Sequence, residues 1–166
     1  MGPQLSLFED GSAPGRDQAH AAALDRVHAE ARGLAARVPQ GVHFGTSSWS
    51  FPGWRGIVYS SSRTQTSLAR EGLREYARHP LLTTVGIDRS YYAPIPLDAL
   101  RAYADQLPAG FPCCLKAPAA VTSRVAPGFG SRGPVRPNPD FLSVARLLDD
   151  LLVPLSTAFS GHAGLV

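Results

Sequence analysis

Short apolar runs alternate with helical patterns from residue 42 onward, and this alternation constrains the fold more than any other feature of the sequence. Three runs have the character of strands, at 42–44, 81–88 and 111–116. The segments between them place apolar residues at helical spacing, as Leu73 and Tyr76 do after the first run. Strands joined through helices are parallel, and their strand-to-helix loops emerge at one edge. The sequence therefore predicts an α/β fold.

Three sequence regions are expected. Residues 1–16 are rich in Gly, Pro and Ser and predict a flexible tail. Residues 17–40 predict an extra N-terminal helix in front of the first strand, and 41–166 form the β/α domain. A late helix is expected to start at Asn138-Pro139-Asp140, with the asparagine as N-cap and the proline at the first helical position. Residues 164–166 look like the beginning of a fourth strand.

The composition, 44% hydrophobic and 17% charged, is that of a soluble globular protein. The sequence contains no apolar run long enough to cross a membrane and no secretory signal pattern, so we expect a cytoplasmic protein without a membrane partner.

The adjacent cysteines, Cys113 and Cys114, should point to opposite faces of a strand as small buried residues. The histidines show no metal-ligand spacing, so we expect no metal and no cofactor.

Three motifs in order resemble those of one family. They are Gly45–Trp54 at the first strand, Thr84–Tyr92 at the second and Leu115–Pro118 at the third. In these motifs the chain resembles the N-terminal half of the YecE-like family, catalogued as domain of unknown function 72 (DUF72). The resemblance implies a bacterial protein with a TIM-barrel-like (β/α) fold. A complete barrel needs about 200 residues or more, so a chain of 166 residues is expected to be truncated to about half a barrel.

The sequence departs from this resemblance at three positions. Gly86 stands where many relatives carry a glutamate, and Ala119 and Ser123 stand where arginine and histidine are common. Roles that those absent side chains would have cannot be transferred to this chain.

Lys116 and Asp88 are the candidate catalytic residues. Lys116 is the only lysine in a chain with 15 arginines, and it follows the third strand, where functional groups of such barrels emerge. Asp88 and Arg89 end the second strand, so Lys116 and Arg89 could bind a phosphate or carboxylate while Asp88 orients them or acts as a base. The alternative is a structural ion pair between Lys116 and Asp88. Whether there is a reaction stays open.

Aromatic residues near the same strand ends are further ligand-binding candidates: Trp49, Trp54, Tyr91 and Tyr92. They could stack on a sugar or a nucleobase, or the two tryptophans could simply fix their loop. Arg124 belongs to a segment, 106–138, that contains cations and no acidic residue and would attract anions, unless it is an ordinary solvated loop.

The N-terminal tail carries a separate signal, the pentapeptide Gln4-Leu5-Ser6-Leu7-Phe8. It resembles the peptide by which bacterial replication and repair proteins bind the DNA polymerase sliding clamp, with Leu7 and Phe8 filling an apolar pocket. One hypothesis is a replication- or repair-associated factor that binds phosphate-containing or nucleic-acid ligands and is tethered to the clamp. The alternatives are a non-catalytic adaptor protein and a sugar-type barrel enzyme whose tail motif is accidental.

Overall fold

The computed structural model describes residues 14–126 and 136–162, with side chains from residue 18 onward. Helices alternate with three short strands along these residues. The helices and strands are, in chain order, α1 (Pro14–Ala35), β1 (Phe44–Thr46), α2 (Gln65–Glu71), α3 (Leu73–Tyr76), β2 (Leu82–Ile87), α4 (Arg89–Tyr92), α5 (Leu97–Ala104), β3 (Cys113–Leu115), α6 (Ala119–Thr122), α7 (Val144–Leu147) and α8 (Val153–Ala158). A 3₁₀ turn spans Pro52–Trp54, and a wider π turn, Leu148–Leu152, joins α7 to α8.

The strands form one open, parallel sheet in the order β1-β2-β3. Thr46 pairs with Val85 across β1 and β2, and Ile87 pairs with Leu115 across β2 and β3. The expected α/β fold is confirmed to this extent: consecutive parallel strands are neighbours, and helices connect them. The carboxyl ends of the three strands consequently meet at one edge of the sheet.

The two faces of the sheet differ in burial. Val85, Ile87 and Cys113 are at most 1% exposed and belong to a single apolar cluster with side chains of α5 and α8. Burial of a side chain such as Val85 or Ile87 stabilises a fold by about 1.5–3 kcal/mol. On the opposite face Gly86 is half-buried and Cys114 is exposed. The two cysteines therefore do point in opposite directions, but the expectation that both are buried is wrong for Cys114.

The late helix begins after the predicted N-cap. α7 starts at Val144, and the side chain of Ser143 accepts a hydrogen bond from the backbone N–H of Arg146 at 3.3 Å. The side-chain amide of Asn138 instead donates to the carbonyl of Ala120 at 2.7 Å. The predicted helix start at Asn138 is wrong because this side chain ties a turn to α6 and caps no helix.

Helix α1 lies against the β/α part of the chain. The imidazole rings of His28 on α1 and His79 after α3 meet edge to face, with their centroids 5.0 Å apart. Gly56 has a φ of +77°, and a Cβ added to it would lie 3.7 Å from the Cβ of Ala23 and from Nδ1 of His20. The helix therefore passes closely over the loop that follows β1.

Three expectations fall on residues that the structure does not describe: the flexible tail, of which only 14–16 are described, as part of α1, the pentapeptide Gln4–Phe8, and the fourth strand at 164–166. Within the described ranges, no helix combines the length and the apolar character that crossing a membrane requires.

Candidate functional site

A cavity of about 200 Å³ opens at the carboxyl ends of β1 and β2, and we call it the rim cavity. Its walls come from the loop after β1, the end of β2, and the helices α2, α4 and α5. The lining residues are Ser47, Ser48, Trp49, Ser50, Ala69, Gly86, Ile87, Asp88, Arg89 and Tyr103. This is the edge at which the sequence predicts a site, because parallel strands present their loops there.

The start of the loop after β1 is held by hydrogen bonds. The Thr46 hydroxyl donates to the carbonyl of Ser48 at 2.6 Å, and the backbone N–H of Thr46 donates to the Tyr76 hydroxyl at 3.0 Å. That hydroxyl in turn donates to the carbonyl of Thr84 at 3.0 Å. Burial raises the pKa of Tyr76, so its O–H remains available as a donor. The loop is thereby joined to β2.

Trp49 forms an apolar wall of the rim cavity and is fixed in place. It is 6% exposed, and its indole N–H donates to the carbonyl of Leu68 at 3.0 Å. Its ring packs edge to face on Tyr103 of α5, with centroids 5.1 Å apart, and the Tyr59 hydroxyl donates to its backbone carbonyl. These contacts fix both the backbone and the side chain of Trp49, so its ring is a rigid surface against which a ligand can pack.

An ion pair lies at the junction of β2 and β3. Lys116 Nζ is 3.1 Å from Asp88 Oδ1, and the two side chains are 55% and 34% exposed. The buried Ser90 hydroxyl lies 2.9 Å from the carbonyl of Ile87 and 2.7 Å from that of Lys116, so it can donate to either. The ion pair and the hydroxyl together hold the ends of the two strands side by side.

Arg89 carries positive charge into the rim cavity from the first residue of α4. One guanidinium nitrogen, Nη1, donates to the Tyr103 hydroxyl at 3.3 Å. The other donors of the fork have no protein partner among the described residues. A guanidinium with unused donors beside a cavity is suited to bind an anionic oxygen.

The remaining sequence candidates lie outside the rim cavity. Trp54 is half-buried and packs on the core, 6.4 Å from the Tyr76 ring between centroids. Tyr91 and Tyr92 pack edge to face on each other along α4, at 5.2 Å. Arg124 lies over the Phe141 ring at 5.8 Å. None of these four candidate side chains lines the cavity, whereas Trp49 and Arg89 do and Lys116 adjoins it through Asp88.

Sequence reasoning did not identify several lining residues. Ser47, Ser48 and Ser50 are not among the sequence candidates, although a run of hydroxyls after a strand is itself a signal for hydrogen bonding to a ligand. In the sequence pattern Tyr103 lies on the apolar face of α5. Its hydroxyl is the sequence signal that this residue also reaches a polar site.

Gly86 shapes the floor of the rim cavity. A Cβ added there would lie 2.9 Å from the Cα of Ser47 and 3.3 Å from the carbonyl oxygen of Thr46. Any side chain at this position would therefore collide with the neighbouring strand end unless the backbone moved. The loop after β1 occupies the space that such a side chain would fill.

The rim cavity offers a ligand hydroxyl groups for hydrogen bonding, one guanidinium group and one aromatic wall. Among its lining residues Asp88 is the single carboxylate, and none is a histidine or a cysteine. Within the part of the chain that the structure describes, no three His, Cys, Asp or Glu side chains come close enough together to hold a metal ion.

A comparison with protein families gives one match. The family model described as "Protein of unknown function DUF72" matches residues 43–162 and so covers most of the chain, including every residue that lines the rim cavity. No curated protein and no solved structure gives a significant match.

Proposed function

The chain belongs to the DUF72 family of proteins of unknown function, and we propose that its rim cavity binds a small ligand that carries a phosphate group. One observation supports this most directly. The guanidinium of Arg89 lines the cavity with donors that no other described residue uses, and the ammonium of Lys116 lies 3.1 Å from Asp88, which also lines the cavity.

The two cations have complementary roles in this proposal. Arg89 donates through a planar fork, which matches two oxygens of a phosphate, while Lys116 acts as a compact point charge. Asp88 orients Lys116 through their ion pair. Its negative charge also repels the anion and so limits the affinity. The ligand body lies against Trp49, and the hydroxyls of Ser48 and Ser50 satisfy its polar groups.

Binding is favoured over a reaction because the cavity lacks the groups for one. Nucleophilic or general acid–base chemistry needs at least a nucleophile with a positioned base, or two titratable groups of different role. Asp88 alone can act as a base among the described lining residues, and its partner Lys116 neutralises it. The function that this arrangement supports is that of a ligand-binding protein.

Calorimetric titration of the full chain tests this proposal, using ribose 5-phosphate, inorganic phosphate and ribose as probes. We expect the first two to bind and ribose to bind at least about tenfold more weakly, since hydrogen bonds to charged groups contribute about 1.5–3 kcal/mol. Arg89→Gln and Lys116→Met should weaken binding of ribose 5-phosphate. Asp88→Asn should strengthen it, because a repulsive charge is removed.

The exposed Arg101 of α5 supplies the matched control, Arg101→Gln, which removes one charge away from the cavity and should change the affinity little. Equal affinity for ribose and ribose 5-phosphate, with no effect of Lys116→Met, would overturn phosphate recognition and favour a sugar-binding protein. Weaker binding in Lys116→Met with unchanged binding in Arg101→Gln would support the proposal beyond a general effect of net charge, because both variants lose one positive charge.

The parallel sheet supports a more detailed fold assignment, in which the strands and helices are consecutive units of a TIM-barrel-like arrangement. Neighbours that follow chain order, β1-β2-β3, are what such a barrel requires. The position of the rim cavity at the carboxyl edge agrees with the place of ligand sites in barrels of this type.

We further propose that Gln4-Leu5-Ser6-Leu7-Phe8 tethers the protein to a DNA polymerase sliding clamp. The sequence pattern alone supports this, since the peptide lies outside the described residues. A labelled peptide of residues 1–12 should bind purified bacterial clamp in a fluorescence anisotropy titration, and Phe8→Ala should abolish binding by emptying the apolar pocket. Binding that is unchanged by Phe8→Ala would contradict this tether.

A further inference from the structure

A second cavity, of about 280 Å³, lies between helix α1 and a later part of the loop that follows β1. We call it the helix–loop cavity. Its lining residues are His20, Pro52, Gly53, Arg55, Ser62 and Arg63. It shares no lining residue with the rim cavity, so the two are separate sites.

The loop that carries Arg55 is tightly built. The carbonyl of Trp54 accepts hydrogen bonds from the backbone N–H groups of Ile57, Val58 and Tyr59, at 3.0, 2.8 and 3.1 Å. Val58 and Tyr59 are 3% and 1% exposed and anchor this turn in the core. Arg55 therefore projects from a fixed backbone, and its guanidinium donates to the Ser62 hydroxyl across the cavity.

Helix α1 supplies the facing wall. His20 is half-buried, and its Nδ1 lies 3.7 Å from the position that a Cβ on Gly56 would occupy. An imidazole offers an N–H donor in either protonation state. The helix–loop cavity thus brings together donors from two separate parts of the chain, and a ligand bound there would contact both.

Cations dominate the charge of this cavity. None of its lining residues is acidic, and no carboxylate among the described residues forms an ion pair with Arg55 or Arg63. The carboxylate of Glu75, which lies near the same loop, accepts a hydrogen bond from the backbone N–H of Ser60 at 2.5 Å. Two guanidinium groups at one small cavity, with no ion-pair partner among the residues that the structure describes, attract anions.

We propose that the helix–loop cavity binds a small oxyanion of the phosphate class, held by Arg55 and Arg63 from the loop and by His20 from α1. The cavity is slightly smaller than sites for drug-sized ligands, which are about 300–1,000 Å³, and this favours inorganic phosphate or a phosphate monoester of small size. Because its donors lie on both walls, the bound anion links α1 to the β/α part of the chain.

The test is a titration of ¹⁵N-labelled full-length protein with inorganic phosphate at constant ionic strength, followed by NMR, with hydrogen exchange of α1 as a second readout. The backbone amides of Gly53, Arg55 and Ser62 should shift saturably, and the first turns of α1 should exchange more slowly with phosphate bound. Arg55→Gln and Arg63→Gln should each weaken binding by about tenfold or more, since each removes hydrogen bonds to a charged group. Arg55→Lys should retain part of the affinity.

Arg26, exposed on α1 and absent from the cavity wall, gives the matched control. Arg26→Gln lowers the net charge equally and should leave the affinity for phosphate within about twofold, because exposed charges at a distance are screened by salt. Shifts that do not saturate, or equal losses in Arg26→Gln and Arg55→Gln, would overturn the site. Unchanged exchange of α1 at saturating phosphate would overturn its linking role. Lys116→Met should leave this titration unaltered, which separates it from the rim cavity.

Discussion

The rim cavity and the helix–loop cavity are lined by different parts of the same loop and differ in how their charges are balanced. At the rim, Lys116 is paired with Asp88 at 3.1 Å. At the helix–loop cavity, Arg55 and Arg63 face no carboxylate among the described lining residues. Arg89 at the rim also forms no ion pair among the described residues, but it shares the cavity wall with the carboxylate of Asp88, which repels anions that the geometry does not favour. A wall without a carboxylate attracts anions of many kinds. The rim cavity is therefore the more selective of the two.

The two cavities also differ in what supports them. The rim cavity rests on the sheet and on Trp49, both part of the main apolar cluster. The helix–loop cavity exists only while α1 lies against the loop, through contacts such as that of His28 with His79. Perturbing the core should therefore destroy the first cavity along with the fold, while perturbing α1 should remove the second cavity alone.

The largest effect is expected for Trp49→Ala. Removing a buried aromatic side chain costs about 3–5 kcal/mol of unfolding free energy, through lost burial and the cavity left behind. Urea denaturation followed by circular dichroism measures this difference. The exposed Val144→Ala should change the unfolding free energy by less than about 0.5 kcal/mol. Similar small losses in both variants would contradict the view that Trp49 supports the rim cavity.

Gly86→Ala should have the next largest effect. The added methyl would lie 2.9 Å from the Cα of Ser47, so the strand end must move, at a cost of about 1–3 kcal/mol. Gly33→Ala in α1 is a control with the opposite sign: nothing lies within 4 Å of its added Cβ, and alanine favours a helix interior by about 0.5–1 kcal/mol. A destabilising Gly33→Ala or a neutral Gly86→Ala would show that the packing at these glycines is not as described.

A decrease in pH should release α1 selectively. Burial, with the Arg32 charge adding to it, lowers the pKa of His28 against the weaker opposing effects of Asp25 and Glu75. Burial also lowers the pKa of His79, which faces His28. The state in which α1 lies against the β/α part of the chain therefore favours neutral imidazoles. It binds fewer protons than the state in which α1 is released. Its stability is present above the ordinary histidine pKa of about 6.5 and decreases as the pH falls through that value.

Hydrogen exchange of α1 between pH 7.5 and 5.5, corrected for intrinsic rates, measures this release. Protection of α1 should fall with pH while protection of β2 is retained, so phosphate binding at the helix–loop cavity should weaken before binding at the rim. In the double variant His28→Gln, His79→Gln the dependence should be lost. If β2 loses protection in parallel with α1, the two parts unfold together and the two cavities do not have separate structural support.

The smallest effect on stability is expected at the ion pair. Lys116→Met should change the unfolding free energy by only about 0–1 kcal/mol, because both partners are partly exposed to water. The same variant should weaken ribose 5-phosphate binding at the rim. A large loss of stability would instead make the ion pair structural, which is the alternative that the sequence left open.

The sequence predicted those features that depend on local periodicity and on the rules for parallel strands. Alternating strand and helix patterns gave the parallel sheet, and the position of Asp88 and Lys116 after neighbouring strands predicted their proximity. Neither conclusion requires knowledge of how side chains pack, so each could be reached from residue spacing alone.

Features that depend on packing could not be predicted in this way. Trp49 and Trp54 share one loop, yet the first lines the rim cavity and the second packs on the core. Asn138 is a residue type typical of N-caps. Its side-chain amide instead donates to two carbonyls, that of Ala120 in α6 and that of Ser123 just after it. The convergence of His20 with Arg55 follows only from where α1 docks, and no spacing along the chain indicates that contact.

The alternation of Cys113 and Cys114 along β3 has a practical consequence for studying these cavities. Burial raises the pKa of Cys113 to about 12 and shields it, whereas Cys114 is exposed and pairs in register with Gly86 in the floor of the rim cavity. A thiol-directed fluorophore should therefore attach at Cys114 alone in the natural sequence. The protein thus carries its own attachment point for a reporter next to one cavity and away from the other.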